Sequence, residues 1–314
     1  MSKKRGSLAV ISARAPAKIN LGLRVLRKRP DGYHDLLSLM VPVSLCDELR
    51  LERGSKNIEL HCPNIELPAN EENLVYRAAR SVLSTCQQRE GVRIELTKNI
   101  PVGAGLGGGS SDAATTLVAV NALLGSPLKR EELVTLGVQL GADVPFFLLG
   151  RWAIAEGIGD RLTPLENVPV LWTVLVHPHF QVSTRWAYEN LTLTTGSNGS
   201  KFNSSGSTSA GEMAASHRQL IDRQHLIFED ILPLLVNDFE PLVFGHYPQL
   251  HDLRKALLAA GAKAAPMTGS GATLVGLFGS ENEARAACDE LRHRDDVTSL
   301  MAHTLDTTAL ERSL

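Results

Sequence analysis

Aromatic side chains are scarce in this chain, at 5% of 314 residues, and cysteine occurs four times, as Cys46, Cys62, Cys86 and Cys288. The cysteines are scattered, with none of the paired spacings of zinc or thioredoxin-type sites. A disulfide framework and a structural zinc are therefore not expected, and the thiols read as free in a reducing compartment. No stretch approaches the roughly 18 apolar residues of a membrane span. The opening MSKKRGSLAVISARAPA has the basic start and A-x-A-like end of a signal peptide, but its apolar run is too short and is broken by Arg14 and Pro16. Excess charge is missing as well: 32 basic and 34 acidic residues leave a formal net charge of -2. Bulk electrostatics therefore argues for neither a nucleic-acid nor a membrane partner. The expectation is a cytoplasmic protein with a small-molecule ligand.

What is present is enough apolar content, 43% over this length, for two domains with separate cores. Residues 14 to 25 alternate, with Ala15, Ala17, Ile19, Leu21, Leu23 and Val25 on one parity and Arg14, Lys18, Asn20 and Arg24 on the other. That period of two predicts a half-buried strand with Lys18 and Asn20 on one face. The turn-rich RKRPDGYH follows. LLSLMVPVS, DELRLER, NIELHC, VRIELT, RWAIAEG and VLWTVLVHP read as further strands. ENLVYRAARSVLSTC, with Leu74, Ala78, Val82 and Cys86 at helical spacing, reads as a helix. Towards the end, PQLHDLRKALLAAG predicts a helix stopped by Gly261. AKAAPMTGSGATLVGLFG predicts two strands around a Gly-Ser-Gly turn, ENEARAACDELRHR a helix, and VTSLMAHTL a last strand. Strands alternate with helices in both halves, which points to mixed α and β layers. Residues 192 to 211 are mostly Ser, Gly, Thr and Asn and predict a flexible surface insertion. The N-x-S/T patterns at Asn190, Asn198 and Asn203 are expected by chance in such sequence.

The most unusual segment is PVGAGLGGGSSDAATTLVAVNALLG. Gly103, Gly105, Gly107, Gly108 and Gly109 fall within seven residues, a density that costs backbone entropy and calls for a local reason. Without Cβ atoms the backbone amides can approach a ligand. The helix that follows, carrying Ala113, Leu117, Val120 and Leu124 on one side, offers its unpaired N-terminal N–H groups and positive dipole end. Together they predict a phosphate site, with the Ser110 and Ser111 hydroxyls at the helix entrance. GGGSS lacks the lysine of a P-loop, which excludes that class. Gly103-x-Gly105-x-x-Gly108 matches a dinucleotide fingerprint. However, residues 126 to 133, SPLKREEL, read as a loop and helix start with Glu131 and Glu132 in its first turn, not as a strand ending in a ribose-binding acid.

Three blocks, in order, resemble the three motifs of the GHMP kinases, named for galactokinase, homoserine, mevalonate and phosphomevalonate kinases. They are PAKINLGLRVLRKRPDGYHDL, then PVGAGLGGGSSDAA with LGADVPFFLLG, then MTGSGATLVGLF. PAKINL followed by RPDGYH is similar, more narrowly, to the diphosphocytidyl-methylerythritol kinases of non-mevalonate isoprenoid precursor biosynthesis. The resemblance implies an α+β fold of two domains. The N-terminal domain, residues 1–167, would be ribosomal-protein-S5-domain-2-like and the C-terminal domain, 168–314, ferredoxin-like. It implies an ATP-dependent kinase acting on the tertiary 2-hydroxyl of a cytidylated methylerythritol, as a monomer or weak homodimer. Asp143 matches the catalytic base of that family and Lys18 its catalytic lysine, with Asn20 holding substrate or lysine. Tyr33 and His34 would grip the cytosine, Tyr188 would cover it from the other side with Trp186 as a competitor, and Thr184 would line the same pocket. The backbone of Pro101, Val102, Gly103, Ala104, Gly105, Leu106, Gly107, Gly108, Gly109, Ser110 and Ser111 would cradle the triphosphate, and Gly269, Ser270 and Gly271 would support it. ATP implies Mg2+. Its ligands are not evident, with Ser111 and Glu156 the candidates.

Rival readings are a GHMP kinase for a small alcohol such as homoserine or mevalonate, an NAD-dependent oxidoreductase, and an inactive nucleotide-binding regulator. The aromatic loop RPDGYH speaks against the first, the missing ribose-binding acid against the second, and the joint presence of Lys18 and Asp143 against the third.

Overall fold

The computed structural model describes residues 9–192, 220–221, 223–308 and 310. Its spine is a pair of long antiparallel strands, β1 (Val10–Lys28) and β2 (His34–Ser55), paired from Val10 opposite Glu52 to Lys28 opposite His34 with three register shifts between. β2 is one continuous strand where the sequence suggests two, because both of its halves find partners. Its C-terminal half pairs with β4 (Gly91–Thr97) and its N-terminal half with β5 (Ala153–Gly157). β3 (Glu59–His61) and β6 (Arg161–Pro164) extend the sheet to six strands. Four helices cover one face: α1 (Leu74–Thr85), α2 (Gly108–Leu123), α3 (Arg130–Leu140) and α4 (Val144–Leu149). α1 starts where Asn73 Oδ1 accepts from the Val75 amide at 2.9 Å. Glu131 and Glu132 occupy the first turn of α3.

The second sheet contains β7 (Trp172–Pro178), β8 (Leu274–Phe278) and β9 (Val297–His303), all antiparallel, in the order β8-β7-β9. Between β7 and β8 run α5 (Thr184–Asn190), α6 (Phe228–Ile231), α7 (Glu240–His246) and α8 (Gln249–Ala259); α9 (Glu281–Leu291) joins β8 to β9. Of the two strands expected around the Gly-Ser-Gly turn, only the second forms. Residues 264–267 touch β8 through two isolated bridges, Ala264–Leu277 and Met267–Leu274. With that edge segment the order is that of a ferredoxin-like β-α-β-β-α-β unit. The fold is thus α+β with two domains. The Ser/Gly-rich insertion from residue 193 onward, with Asn198 and Asn203, lies outside the described residues. Asn190 ends α5 and donates to the Trp186 carbonyl at 2.9 Å.

The two sheets share an apolar layer. Ala17, Ile19, Leu21, Leu37, Leu39, Val41, Trp152 and Ile154 face Leu175, Val275, Leu277 and Ala302. The other face of the first sheet supplies Leu49, Leu51, Ile94, Leu96, Ala153 and Ala155 to the helices, whereas Val174, Val176 and Leu274 of the second sheet meet α8 and α9. β1 therefore runs between two covers. Residues 15–23 are all buried, on both faces, and this corrects the expected half-buried strand. Such burial leaves no room for a charged side chain unless it has partners. α2 is likewise wrapped on most sides, with Ala113, Ala114, Leu117 and Val120 essentially inaccessible. No helix among the described residues is long and apolar enough to cross a membrane.

Candidate active site

Lys18 lies in the doubly covered stretch of β1 and is 6% exposed. Its ammonium donates to Asn20 Oδ1 at 2.6 Å and stands 3.8 Å from Asp143 Oδ2. The shorter bond goes to the amide, so Lys18 is aimed by Asn20 and faces Asp143. Asn20 is itself locked. Its Nδ2 donates to Ser38 Oγ at 2.7 Å, and that hydroxyl passes its own proton to the Gly22 carbonyl at 2.8 Å. The chain leaves Oδ1 as the end that meets Lys18. The Asn20 amide is held by Thr268 Oγ1 at 2.7 Å. At Gly22 the strand breaks register with φ +105°, and a Cβ there would meet the Leu234 carbonyl oxygen at 2.1 Å, so only glycine fits.

Asp143 sits in a tight turn closed by the Val144 amide, which donates to the Gly141 carbonyl at 3.2 Å. It caps α4, whose second residue is Pro145, and its carboxylate makes no bond to the helix amides. The side chain is 38% exposed and turned towards a cavity of about 950 Å³. That cavity is also lined by Lys18, Asn20, Gly105, Gly107, Ser110, Tyr33, His34, Thr184, Tyr188, Gly269 and Ser270.

The glycine-rich loop alternates. Gly103, Gly105 and Gly107 have φ near +70°, while Ala104 and Leu106 between them are buried in the inter-sheet core as anchors. The Leu106 carbonyl accepts from the Lys18 amide at 2.9 Å, which ties the loop to β1 directly beside the lysine. Gly107 is the left-handed residue before α2, and a Cβ on it would lie 2.9 Å from both Lys18 Cγ and Phe147 Cζ. α2 then starts with unpaired amides and a positive dipole end. Ser111 Oγ is buried there and has no hydrogen-bond partner. Val102 is exposed, and its carbonyl accepts from Gln181 at 3.1 Å. Pro101, Val102, Gly103, Ala104, Leu106, Gly108, Gly109 and Ser111 do not line the large cavity, whereas Gly105, Gly107 and Ser110 do. Gly269, Ser270 and Gly271 come alongside from the second domain. A Cβ at Gly105 would lie 3.3 Å from the Gly271 carbonyl oxygen, and Ser270 Oγ bonds Thr184 Oγ1 at 2.9 Å. Glu156, on β5, is exposed and does not line the cavity. No group of three or more His, Cys, Asp or Glu suited to a metal occurs among the described residues.

His34 and Tyr188, which also line the cavity, stack with ring centroids 5.0 Å apart and planes at 27°. Burial, helped by the Asp143 charge, pushes the Tyr188 phenol up to about 12. Burial holds His34 below its ordinary value, with Lys28 adding to the effect. Tyr33 lines the same cavity but is 61% exposed. Trp186 points elsewhere and packs on His246 and Tyr247. The Pro-Asp-Gly turn that presents Tyr33 is tied by Arg29 to Asp31 at 2.7 Å, by the Tyr33 amide to Asp31 Oδ1 at 3.1 Å, and by Arg27 to Asp35 at 2.5 Å.

Several residues that position this site carry no local sequence signal. Asn237 Nδ2 spans the Met267 and Gly269 carbonyls, both at 2.8 Å. Thr273 Oγ1 donates to the Ala104 carbonyl at 2.7 Å, so His177 Nδ1, 3.1 Å from that oxygen, must carry the proton between them. Beneath the start of α2, Lys98 bonds both Asp47 and Asp112, the latter at 2.7 Å, and all three side chains are at most 7% exposed. Asp47 also accepts the Asn99 and Ile100 amides at 2.6 and 2.8 Å. Asp112 Oδ1 has no partner, and burial pushes this carboxyl up to about 8. Burial pulls Lys98 down, but the two carboxylates outweigh it and leave Lys98 raised.

Comparison with known proteins places this geometry. The model of the GHMP kinases N terminal domain matches residues 73–151, and that of the GHMP kinases C terminal matches 216–296. A 4-diphosphocytidyl-2-C-methyl-D-erythritol kinase of Geobacter sp. (strain M21) is 46% identical over 278 residues, 88% of this chain and 92% of its own. One from Syntrophus aciditrophicus (strain SB) is 46% identical over 273 residues, 87% of this chain and 91% of its own. A crystal structure of 4-(cytidine 5'-diphospho)-2C-methyl-D-erythritol kinase superposes with a TM-score of 0.75 at 36% identity, covering 94% of this chain and 99% of that one. The chain belongs to the GHMP kinases and, within them, to the 4-diphosphocytidyl-2-C-methyl-D-erythritol kinase family.

Proposed function

We propose that this chain transfers the γ-phosphoryl group of ATP to the tertiary 2-hydroxyl of 4-diphosphocytidyl-2-C-methyl-D-erythritol, a step in making isoprenoid precursors without mevalonate. One observation carries the reading. A buried lysine and a half-exposed aspartate, 3.8 Å apart, share one cavity with a glycine loop and an aromatic pair. Phosphoryl transfer needs little covalent chemistry from a protein but demands alignment and charge stabilisation. Asp143 takes the proton of the attacking hydroxyl, the Lys18 ammonium stabilises charge on the oxygen as it develops, and Asn20 holds that ammonium in place. The amides of residues 103–111 bind phosphate oxygens at the start of α2. ATP supplies the transferred group. The unpartnered Ser111 hydroxyl fits a phosphate oxygen or an accompanying Mg2+, and it is the residue we assign to that metal. The base end of the substrate binds at Tyr33, His34 and Tyr188, and Thr184 with the Gly269–Gly271 loop closes the middle. We place the domain boundary at 167/168, in the connection from β6 to β7.

The test is a coupled ADP-release assay with the diphosphocytidyl substrate beside mevalonate and homoserine. ADP release with the first alone is expected, and its absence there would refute the reading. Asp143→Asn should lower kcat by about 10²–10⁴-fold, the usual worth of a positioned base, with ATP affinity little changed. Normal turnover in that variant removes Asp143 from the mechanism.

A further inference from the structure

The basic run that leads into the Pro-Asp-Gly turn contains three consecutive cations, Arg27, Lys28 and Arg29. The two arginines are spent on the turn itself. Arg27 bonds Asp35 at 2.5 Å, and Arg29 bonds Asp31 at 2.7 Å and Asp35 at 3.4 Å. The Lys28 side chain has no ion-pair or hydrogen-bond partner among the described residues, and Lys28 lines the large cavity. A second cation shares that condition. Arg185, on α5, lies between Thr184, which bonds Ser270, and Tyr188, which stacks on His34. It too lines the cavity without a partner, although Glu189 follows one turn later. The other charges on the cavity are Asp31, engaged with Arg29, Asp143, opposite Lys18, and the single carboxylate of Glu189, which leaves Lys28 and Arg185 in excess over it.

An unpaired lysine and an unpaired arginine on one cavity raise its potential and leave donors free for an anion. The arginine offers a planar fork suited to phosphate oxygens, and the lysine a point charge. Resting on the function proposed above, the anion cannot be the nucleotide phosphates, which belong to the glycine loop. The remaining phosphates are those inside the substrate, between its cytidine and its alcohol. We infer that Lys28 and Arg185 bind the diphosphate of the substrate. They hold it between the aromatic pair and the Lys18–Asp143 gap, and they make the enzyme select a nucleoside-diphosphate-linked alcohol over a free one. They are specificity residues and touch none of the reacting atoms.

The experiment compares wild type with Lys28→Gln, Arg185→Gln and the double variant in steady-state assays, with CDP and cytidine as competitive ligands. Each single variant should raise the substrate KM about tenfold, as expected for one charge-assisted hydrogen bond, with kcat moving far less and the KM for ATP unchanged. CDP inhibition should weaken in parallel while cytidine inhibition holds, because cytidine lacks the diphosphate. Lys28→Arg and Arg185→Lys should keep most of the affinity. Both positions are exposed, and thermal melts of all variants check folding. If wild type is active and the variants keep its substrate KM and CDP inhibition, the inference is overturned and the proposed function stands. A loss in kcat with KM unchanged also overturns it. A wild-type enzyme that ignores the diphosphocytidyl substrate sinks the underlying reading instead.

Discussion

Replacing Lys98 with methionine probes how the phosphate loop is supported. Methionine keeps the length and apolar stem of the side chain but removes the one cation between Asp47 and Asp112. Breaking a buried pair by removing one partner costs about 3–5 kcal/mol. Burial pushes Asp112 up to about 8, so this carboxyl can escape part of that cost by holding a proton. Asp47 keeps its two backbone donors, the Asn99 and Ile100 amides. We therefore expect the low end of the range, a loss of about 3 kcal/mol at pH 7, or roughly 6–12 °C in Tm. Urea denaturation at pH 7 measures it. A Lys98→Met protein as stable as wild type there would refute the assigned charge balance.

Asp112→Asn isolates the other carboxylate. Its raised value means the folded state keeps a proton that the unfolded state sheds, so the stability tied to that proton is full below about 4 and is lost as pH rises towards 8. The asparagine variant should flatten this decline, and an unchanged slope in urea titrations from pH 5 to 8 counts against it. Gly107→Ala puts a Cβ 2.9 Å from Lys18 Cγ at a φ of +71°. A left-handed alanine costs about 1–2 kcal/mol, and displacing the lysine by a fraction of an ångström should cut kcat by about 10²-fold; unimpaired turnover at saturating ATP would contradict the packing. Thr273→Val removes the donor to Ala104 and the acceptor for His177. A loss of about 1–3 kcal/mol is expected for the stranded buried groups, together with a higher KM for ATP because the glycine loop loses one of its ties to the second domain. An ATP KM equal to wild type would show that the loop holds its shape alone.

Much of the site was legible along the chain because its signals are local. Period-two alternation puts Lys18 and Asn20 on one face, and they do bond each other. The glycine spacing announces a backbone that must turn left-handed, and Gly103, Gly105 and Gly107 do so. The helices around residues 74–85, 130–140, 249–259 and 281–291 follow from their apolar spacing and stop signals. Short elements were not legible. α5 has seven residues and α4 six, too few for a periodic pattern to stand out, yet they place Tyr188 and Asp143.

What tertiary structure alone decided is which faces are covered and which distant polar groups meet. Alternation encodes one buried face. That β1 is buried on both depends on a second sheet from the other domain arriving over it, and this is why Lys18 needs Asn20, Ser38 and Thr268 around it. Asp47, Lys98 and Asp112 come from β2, the loop after β4 and α2. Nothing near any one of them names the others, because a buried charge finds its partner through strand register and helix packing rather than through neighbours in the chain. For His34 and Tyr188 the family resemblance suggested one shared pocket, but only the structure shows the two rings stacked directly on each other.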